Sequence, residues 1–242
     1  MNTIDHKNLP EILFEANQIA QSAGLKILEI YETDFSVVKK DDNSPLTLAD
    51  TEAHKIICES LSKLTPSIPI LSEESSHIDF SERSRWSQYW LVDPLDGTRE
   101  FIKKNGEFTV NIALVDGNKP ILGVVYVPVS ETSYIATINY GAHKSVKEND
   151  LKKISVRKAD INNITVAGSR SHGNDKQKTF ISNIKNADIL SIGSSQKFCL
   201  IAEGRADVYP RFGPTSEWDT AAAQCIVEES GGCVVDENFK PI

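Results

Sequence analysis

Asp93-Pro94-Leu95-Asp96-Gly97-Thr98 carries the residue types that do chemistry. It follows an apolar run, Tyr89-Trp90-Leu91-Val92, that reads as a strand. Two carboxylates three positions apart then fall on a tight turn enforced by Pro94 and Gly97. There both carboxylates and the carbonyl of Leu95 between them converge, an array of oxygens that suits a hard divalent cation. Thr98 places a hydroxyl beside it. Other readings stay open on these residues alone. One is a solvated Asp-rich turn. A calcium loop would need D-x-D-x-D-G with a distal Glu, and that alternation is absent. A phosphoaspartyl centre of the D-x-D-x-T type has one residue between its aspartates, where this chain has two.

Further acids stand at predicted element ends. Glu73 belongs to Ser72-Glu73-Glu74-Ser75, after the short apolar run Ile68–Leu71. Asp50 lies three residues past Thr47, a predicted N-cap, so it reads equally well as a capping acid and as a reactive one. Asp219 sits in Trp218-Asp219-Thr220, in the first turn of a predicted helix. If Glu73, Asp93, Asp96 and Asp219 converge, their mutual repulsion raises their pKa values unless cations neutralise them. Mg²⁺ meets that need. Two such ions about 3.5–4 Å apart clamp a phosphate and lower the pKa of a bound water. Thr98 and Asp50 would then take that water's proton in sequence.

Several elements must position these groups. Ile12, Ala16, Ile19, Ala23, Ile27 and Ile30 give one apolar face to a helix over 9–31, with Pro10 in its first turn. A short strand is predicted at Phe35–Val38, then a polar loop from Lys39 to Pro45 that could carry a Lys or Asp toward a metal. A second helix runs from Thr47 to Leu64 and stops at Thr65-Pro66. Residues 76–88 read as loop with a short helix. Phe108–Val115, Ile121–Val127 and Ser133–Ile138 form a meander, its first hairpin closed at Asp116-Gly117-Asn118. Residues 140–153 read as a connection, with a boundary near 150. That divides the chain into an α+β part, 1–150, holding most metal ligands, and an α/β part, 151–242, holding Asp219 and the specificity residues. In the second part strands at Ile164–Ala167, Asp188–Ile192, Ala206–Tyr209 and Cys233–Val235 alternate with helices at 176–184, 196–203 and 217–230. Such alternation is a mixed α/β layer.

The chain has 242 residues, 40% hydrophobic, enough for one large domain or two small ones. Its net charge of −8 disfavours a nucleic-acid polymer as partner but not a small anion, because bound metal ions reverse the local sign. Four scattered cysteines with no C-x-x-C pair point to a reducing compartment. With no long apolar run and no leader pattern, a cytoplasmic location without an integral membrane segment is expected.

Taken together, Glu73-Glu74-Ser75, Trp90-Leu91-Val92-Asp93-Pro94-Leu95-Asp96-Gly97-Thr98 and Trp218-Asp219 resemble the signatures of the inositol monophosphatase superfamily of lithium-sensitive, Mg²⁺-dependent phosphatases. Thr98-Arg99-Glu100-Phe101-Ile102, Asn105–Leu114 and Gly193-Ser194-Ser195-Gln196-Lys197-Phe198-Cys199 look most like its 3'(2'),5'-bisphosphate nucleotidase branch. The resemblance covers most of the chain.

It implies a layered α-β-α-β-α sugar-phosphatase fold. It also implies hydrolysis of 3'-phosphoadenosine 5'-phosphate to AMP and phosphate, recycling a by-product of sulfate assimilation. The alternatives are an inositol or sugar monophosphate substrate, or a non-catalytic nucleotide-binding protein. By the same resemblance Glu73, Asp93, the Leu95 carbonyl, Asp96 and Asp219 match metal ligands for two or three Mg²⁺, with inhibition by Li⁺ expected. Thr98, Asp50 and Glu73 match catalytic positions, and the Gly97 and Thr98 amides a phosphate cradle. Ser169, His172, Ser194, Lys197 and Arg211 match nucleotide contacts, alongside Glu73, Leu95, Asp96 and Asp219. A monomer or homodimer is expected, and, because some relatives are described as peripheral at the inner membrane, a place at its cytoplasmic face is open to the chain. Relatives also run on past the position of Lys240-Pro241-Ile242, which bears on stability and dimer contacts rather than on the ligands.

Overall fold

Small and branched apolar residues at helical spacing make the first helix a packing face rather than a surface one. In the computed structural model, which describes residues 3–39, 45–75, 78–147, 149–169 and 175–242, α1 spans Leu9–Tyr31. Leu13, Ala16, Ala20, Ala23 and Ile27 on it are fully buried. A hairpin of β1 (Val37–Lys39) and β2 (Pro45–Thr47) leads into α2 (Leu48–Leu64), which packs along α1. The strand predicted at Phe35–Val38 thus begins at Val37 and ends at Lys39, and 40–44 of the polar loop lie outside the described residues.

A seven-stranded sheet follows. It is built from β3 (Ile70–Ser72), then, after the short α3 (Phe80–Arg83), β4 (Gln88–Asp96). Next come α4 (Thr98–Ile102) and the strands β5 (Thr109–Asp116), β6 (Lys119–Val127), β7 (Thr132–Thr137), β8 (Gly141–Val146) and β9 (Lys152–Lys153). Strand order follows the chain, with β3 parallel to β4 and the rest antiparallel. The 140–153 segment read as a connection is therefore largely sheet: it pairs back on β7, and Ala142 there is fully buried.

The rest of the chain supplies the outer layers: β10 (Thr165–Ser169), α5 (Asp175–Ser182), β11 (Asp188–Ile192), α6 (Gln196–Ala202) and α7 (Glu217–Glu229). β10 and β11 pair in parallel. Two expected strands are not strands. Val208 makes a single parallel bridge to Val166, and Val235 a single bridge to Pro241. Each segment pairs at one point and then leaves the ladder.

Alternation along the strands sorts the layers. On β4 and β5, Trp90, Val92, Val110 and Ile112 face α1 and α2, while Leu91 and Ala113 face α6 and α7. On β10, Ala167 packs with Leu200 of α6, and Gly168 faces Gln177 of α5. The order is α1/α2, large sheet, α6/α7, small sheet, α5, as the α-β-α-β-α expectation requires.

The α7 layer sits unusually close. A Cβ built on Gly123 of β6 would lie 2.1 Å from the Ala222 carbonyl oxygen of α7, backbone against backbone. Gly123→Ala is expected to destabilise the chain by about 1–3 kcal/mol by forcing that helix outward. Urea unfolding checks it: the midpoint should fall with the slope unchanged.

Candidate active site

The motif is a strand end, not a turn. β4 continues through Asp96, pairing Asp93 with Asn111 and Asp96 with Thr109, and the register slips between them. The slip leaves Pro94 and Leu95 outside regular pairing, where a residue without an N–H is tolerated. Gly97 then turns the chain at φ 94°, a conformation that favours glycine, and α4 begins. The turn predicted at Asp93 is thus shifted to Gly97, because Asn111 and Thr109 keep β4 in the ladder.

Four carboxylates surround this strand end. Glu73 follows β3, its N–H donating to the Val92 carbonyl at 3.0 Å. Asp93 is 1% exposed, and burial, then Glu73, Asp96 and Asp219, push its carboxyl well above the usual carboxylate range. The Asp96 carboxyl is pushed up to about 6, first by burial and then by Asp219. Lys197 and the Ser195 N–H oppose that rise.

Two of the acids are anchored at helix starts on opposite sides of the sheet. Asp50 is the third residue of α2. Its Oδ2 accepts from the Thr47 N–H at 2.7 Å and the Thr47 hydroxyl at 2.6 Å. Its Oδ1 accepts from the Thr98 hydroxyl at 3.2 Å, and that hydroxyl also lies 3.3 Å from the Leu95 carbonyl oxygen. Asp50 therefore caps its helix and holds Thr98 at once. Asp219, third in α7, accepts from the Ser216 N–H at 3.1 Å and the Thr215 hydroxyl at 2.9 Å. Each carboxylate meets the positive end of a helix dipole.

The loop before α6 closes the site. Ser195 N–H donates to Asp96 Oδ2, and the Ser194 carbonyl accepts from Lys197 Nζ. Lys197 is 4% exposed, with Nζ 5.4 Å from the centre of the Tyr209 ring. Burial pulls its ammonium down, and Asp96 resists this. Arg211 hydrogen-bonds the Tyr209 hydroxyl at 3.3 Å.

The donor set suits a hard divalent cation. Every polar group facing the strand end from Glu73, Asp93, Leu95, Asp96 and Asp219 is an oxygen, and the carboxylates raise one another's proton affinity. Among the described residues no three acidic, histidine or cysteine side chains have drawn together at ligating separation.

A cavity of about 610 Å³ opens over them. Glu73, Asp96, Gly97, Thr98 and Asp219 line it, together with Ser169, Ser194, Lys197 and Arg211. Asp93, Leu95 and Asp50 lie buried beneath. His172 lies outside the described residues. Sequence reasoning passed over Thr109, Asn111 and Ser195 as site residues. The available signal was polarity: Thr109 and Asn111 interrupt an otherwise apolar strand.

Known proteins resemble this chain over most of its length. The Escherichia coli (strain K12) 3'(2'),5'-bisphosphate nucleotidase CysQ is 46% identical over 233 residues, covering 96% of this chain and 93% of the relative. The Haemophilus influenzae protein of the same name is 35% identical over 244 residues, covering 100% and 89%. The crystal structure of CysQ from Bacteroides thetaiotaomicron, described as a bacterial member of the inositol monophosphatase family, superposes with a TM-score of 0.81 at 43% identity. It covers 91% of this chain and 87% of that one. Thermotoga maritima IMPase TM1415 shares the fold with a TM-score of 0.80 at 24% identity, covering 96% and 88%. The sequence pattern of the inositol monophosphatase family, whose members depend on metal ions, matches residues 8–241, and the chain belongs to that family.

Proposed function

We propose that this chain is a 3'(2'),5'-bisphosphate nucleotidase that hydrolyses the 3'-phosphate of 3'-phosphoadenosine 5'-phosphate, giving AMP and phosphate. The observation that carries the reading is one cavity lined both by the carboxylates Glu73, Asp96 and Asp219 and by the cations Lys197 and Arg211. A phosphomonoester alone needs only the acidic, metal-holding residues. A second, non-reacting phosphate calls for fixed cations in addition, and Lys and Arg suit that task. The nucleotidase relatives named above point to the same substrate class.

Glu73, Asp93, the Leu95 carbonyl, Asp96 and Asp219 would hold two or three Mg²⁺ ions, and Li⁺ would inhibit by competing there. Bound Mg²⁺ supplies charge neutralisation at the phosphate and acidifies the attacking water. The rest is done by this chain's own side chains. Thr98 donates its proton toward Asp50 Oδ1, which leaves the hydroxyl oxygen's lone pairs to accept a proton from water. Asp50, held by Thr47, keeps that hydroxyl in one orientation. The Gly97 and Thr98 amides cradle the phosphate being cleaved. Lys197 and Arg211 bind the 5'-phosphate, and Ser194, Ser169 and His172 contact the nucleoside. The working form is a monomer or homodimer, and the product returns to nucleotide pools as part of sulfate assimilation. Among the described residues no helix is long and apolar enough to cross a membrane.

The direct test is phosphate release from 3'-phosphoadenosine 5'-phosphate against inositol 1-phosphate, with Mg²⁺ and then with EDTA. Faster, EDTA-sensitive release from the bisphosphate is expected. A preference for the inositol ester overturns the substrate, and no release from either overturns the enzyme. Lys197→Ala should raise KM for the bisphosphate about 10–100-fold, the loss of one charge-assisted contact. For 3'-AMP, which lacks the 5'-phosphate, it should change little. An equal effect on both removes Lys197 from the 5'-phosphate site.

A pH dependence follows from Asp96. Folded, it keeps its proton up to about pH 6, above its ordinary 3.8. The folded chain then binds more protons than the unfolded one across that window, so without a cation its stability falls as pH rises through it. A cation relieves the full penalty only above the window. The gain in Tm on adding Mg²⁺ should therefore be larger near pH 7.5 than near pH 5. Thermal unfolding at the two pH values checks this, and equal gains would contradict it.

A further inference from the structure

Beneath the cleft lies a buried polar group that the chemistry above does not use. Thr109, Asn111 and Ser195 are 0%, 1% and 2% exposed. Asn111 Oδ1 accepts from the Ser195 hydroxyl at 2.8 Å, and that hydroxyl lies 2.8 Å from the Thr109 hydroxyl. The Ser195 N–H in turn donates to Asp96 Oδ2. One end of the Asn111 amide is thus joined, through one residue, to Asp96.

The other end is unsatisfied. Asn111 Nδ2 is buried and has no hydrogen-bond partner among the described residues. Buried amide N–H groups rarely stay unpaired, because leaving them so is costly. Its neighbour across the ladder is Asp93. Residues directly opposite on antiparallel strands share a face, with Cβ atoms about 4.5–5.5 Å apart, so a change of rotamer brings an amide to a carboxylate. The face is the α7 side of the sheet, where Asp219 also stands, since Ala113 and Leu91 point there too. Turning the amide over would set Oδ1 toward the carboxylate cluster, acceptor against acceptor. The orientation with Nδ2 on that side is the one electrostatics favours.

We infer that Asn111 is a positioning residue for the metal ligands: its Nδ2 donates to the Asp93 carboxylate while its Oδ1, through Ser195, fixes Asp96. A single side chain then sets the spacing of two ligating carboxylates three positions apart on a strand whose register slips between them. Ligands whose remaining lone pairs are hydrogen-bonded are pre-oriented for the ion, and loss of such partners typically lowers metal affinity 10–100-fold. This inference rests on the metal reading under Proposed function.

The test is calorimetric titration of the full chain with Mn²⁺ alone, alongside Tm measured without metal. Asn111→Leu removes both ends of the amide at similar volume, and Ser195→Ala removes only the hydroxyl that Oδ1 accepts from. The wild type should bind Mn²⁺, Asn111→Leu should bind it at least tenfold more weakly, and Ser195→Ala should stay nearer the wild type. In turnover, Asn111→Leu should need more Mg²⁺ for half-maximal rate yet recover most of kcat when saturated, a split that a general loss of structure would not give. Should Asn111→Leu not fold, Asn111→Ser carries the same comparison. Wild-type affinity in the Asn111 variant overturns the inference, and a loss in Ser195→Ala equal to that in Asn111→Leu overturns its Asp93 arm, since the Ser195 link alone would then account for the whole effect. A wild-type chain that binds no Mn²⁺ overturns the metal reading itself.

Discussion

Like charges concentrated out of water are the constraint around which this molecule is arranged. Asp93 and Asp96 stand on one strand, with Glu73 beside them and Asp219 opposite, and burial raises the proton affinity of the first two. Left to itself such a cluster would take up protons or spread apart. The chain holds it by fixing the backbone beneath each acid independently. β4 is locked between β3 and β5, the Asp219 carboxylate is tied at the start of α7, and Asp96 is tied by the loop before α6. None of these supports relies on another acid, so the repulsion is borne by the scaffold. The stored unfavourable charge is what makes a divalent cation welcome.

The same helix-start geometry is used twice. Thr47 with Asp50, and Ser216 with Asp219, place an acid in the third helical position, where it accepts from the capping residue. In Asp50 one oxygen caps while the other receives the Thr98 hydroxyl. Capping and holding the Thr98 hydroxyl do not compete, because a carboxylate has two oxygens with lone pairs to spare. The cap in fact aids the second role. It fixes the carboxylate's plane, so the Thr98 hydroxyl meets an acceptor that does not turn away.

Much of this was legible from residue types, for identifiable reasons. α1 and α2 announce themselves by apolar spacing, and their observed spans, Leu9–Tyr31 and Leu48–Leu64, match that spacing closely. The meander reads from alternating β-branched runs and the Gly117 turn. What did not read is pairing over distance. Pro94 and Gly97 look like a turn at Asp93, yet Asn111 and Thr109, some fifteen residues on, keep the segment in the ladder. Residues 141–146 are polar enough to suggest a loop, but as β8 they pair along the whole of β7. Thr98 and Asp50, 48 positions apart, were paired from the chemistry that a converging acid cluster would need, and no local pattern shows their contact. The Thr109–Asn111–Ser195 group was missed because a strand with two polar residues reads as slightly imperfect rather than as deliberate.

That last omission bears on how the nucleotidase site relates to the wider fold. Thermotoga maritima IMPase TM1415 superposes well on this chain at only 24% identity, so the layers tolerate wide change in sequence. The layers fix where β4 ends and where the helices begin. They do not fix what lies between β5 and the loop before α6, since Thr109, Asn111 and Ser195 meet there through side chains alone. Lys197 stands two residues beyond Ser195, on the first turn of α6. Any displacement of Ser195 therefore moves the hydrogen bond to Asp96 and the Lys197 ammonium together. In such an arrangement the carboxylate and the ammonium that line the cavity cannot be moved separately. A change that re-aims Lys197 also re-aims the donor on Asp96, so that under the proposed assignment substrate choice and metal affinity are tied through one short loop.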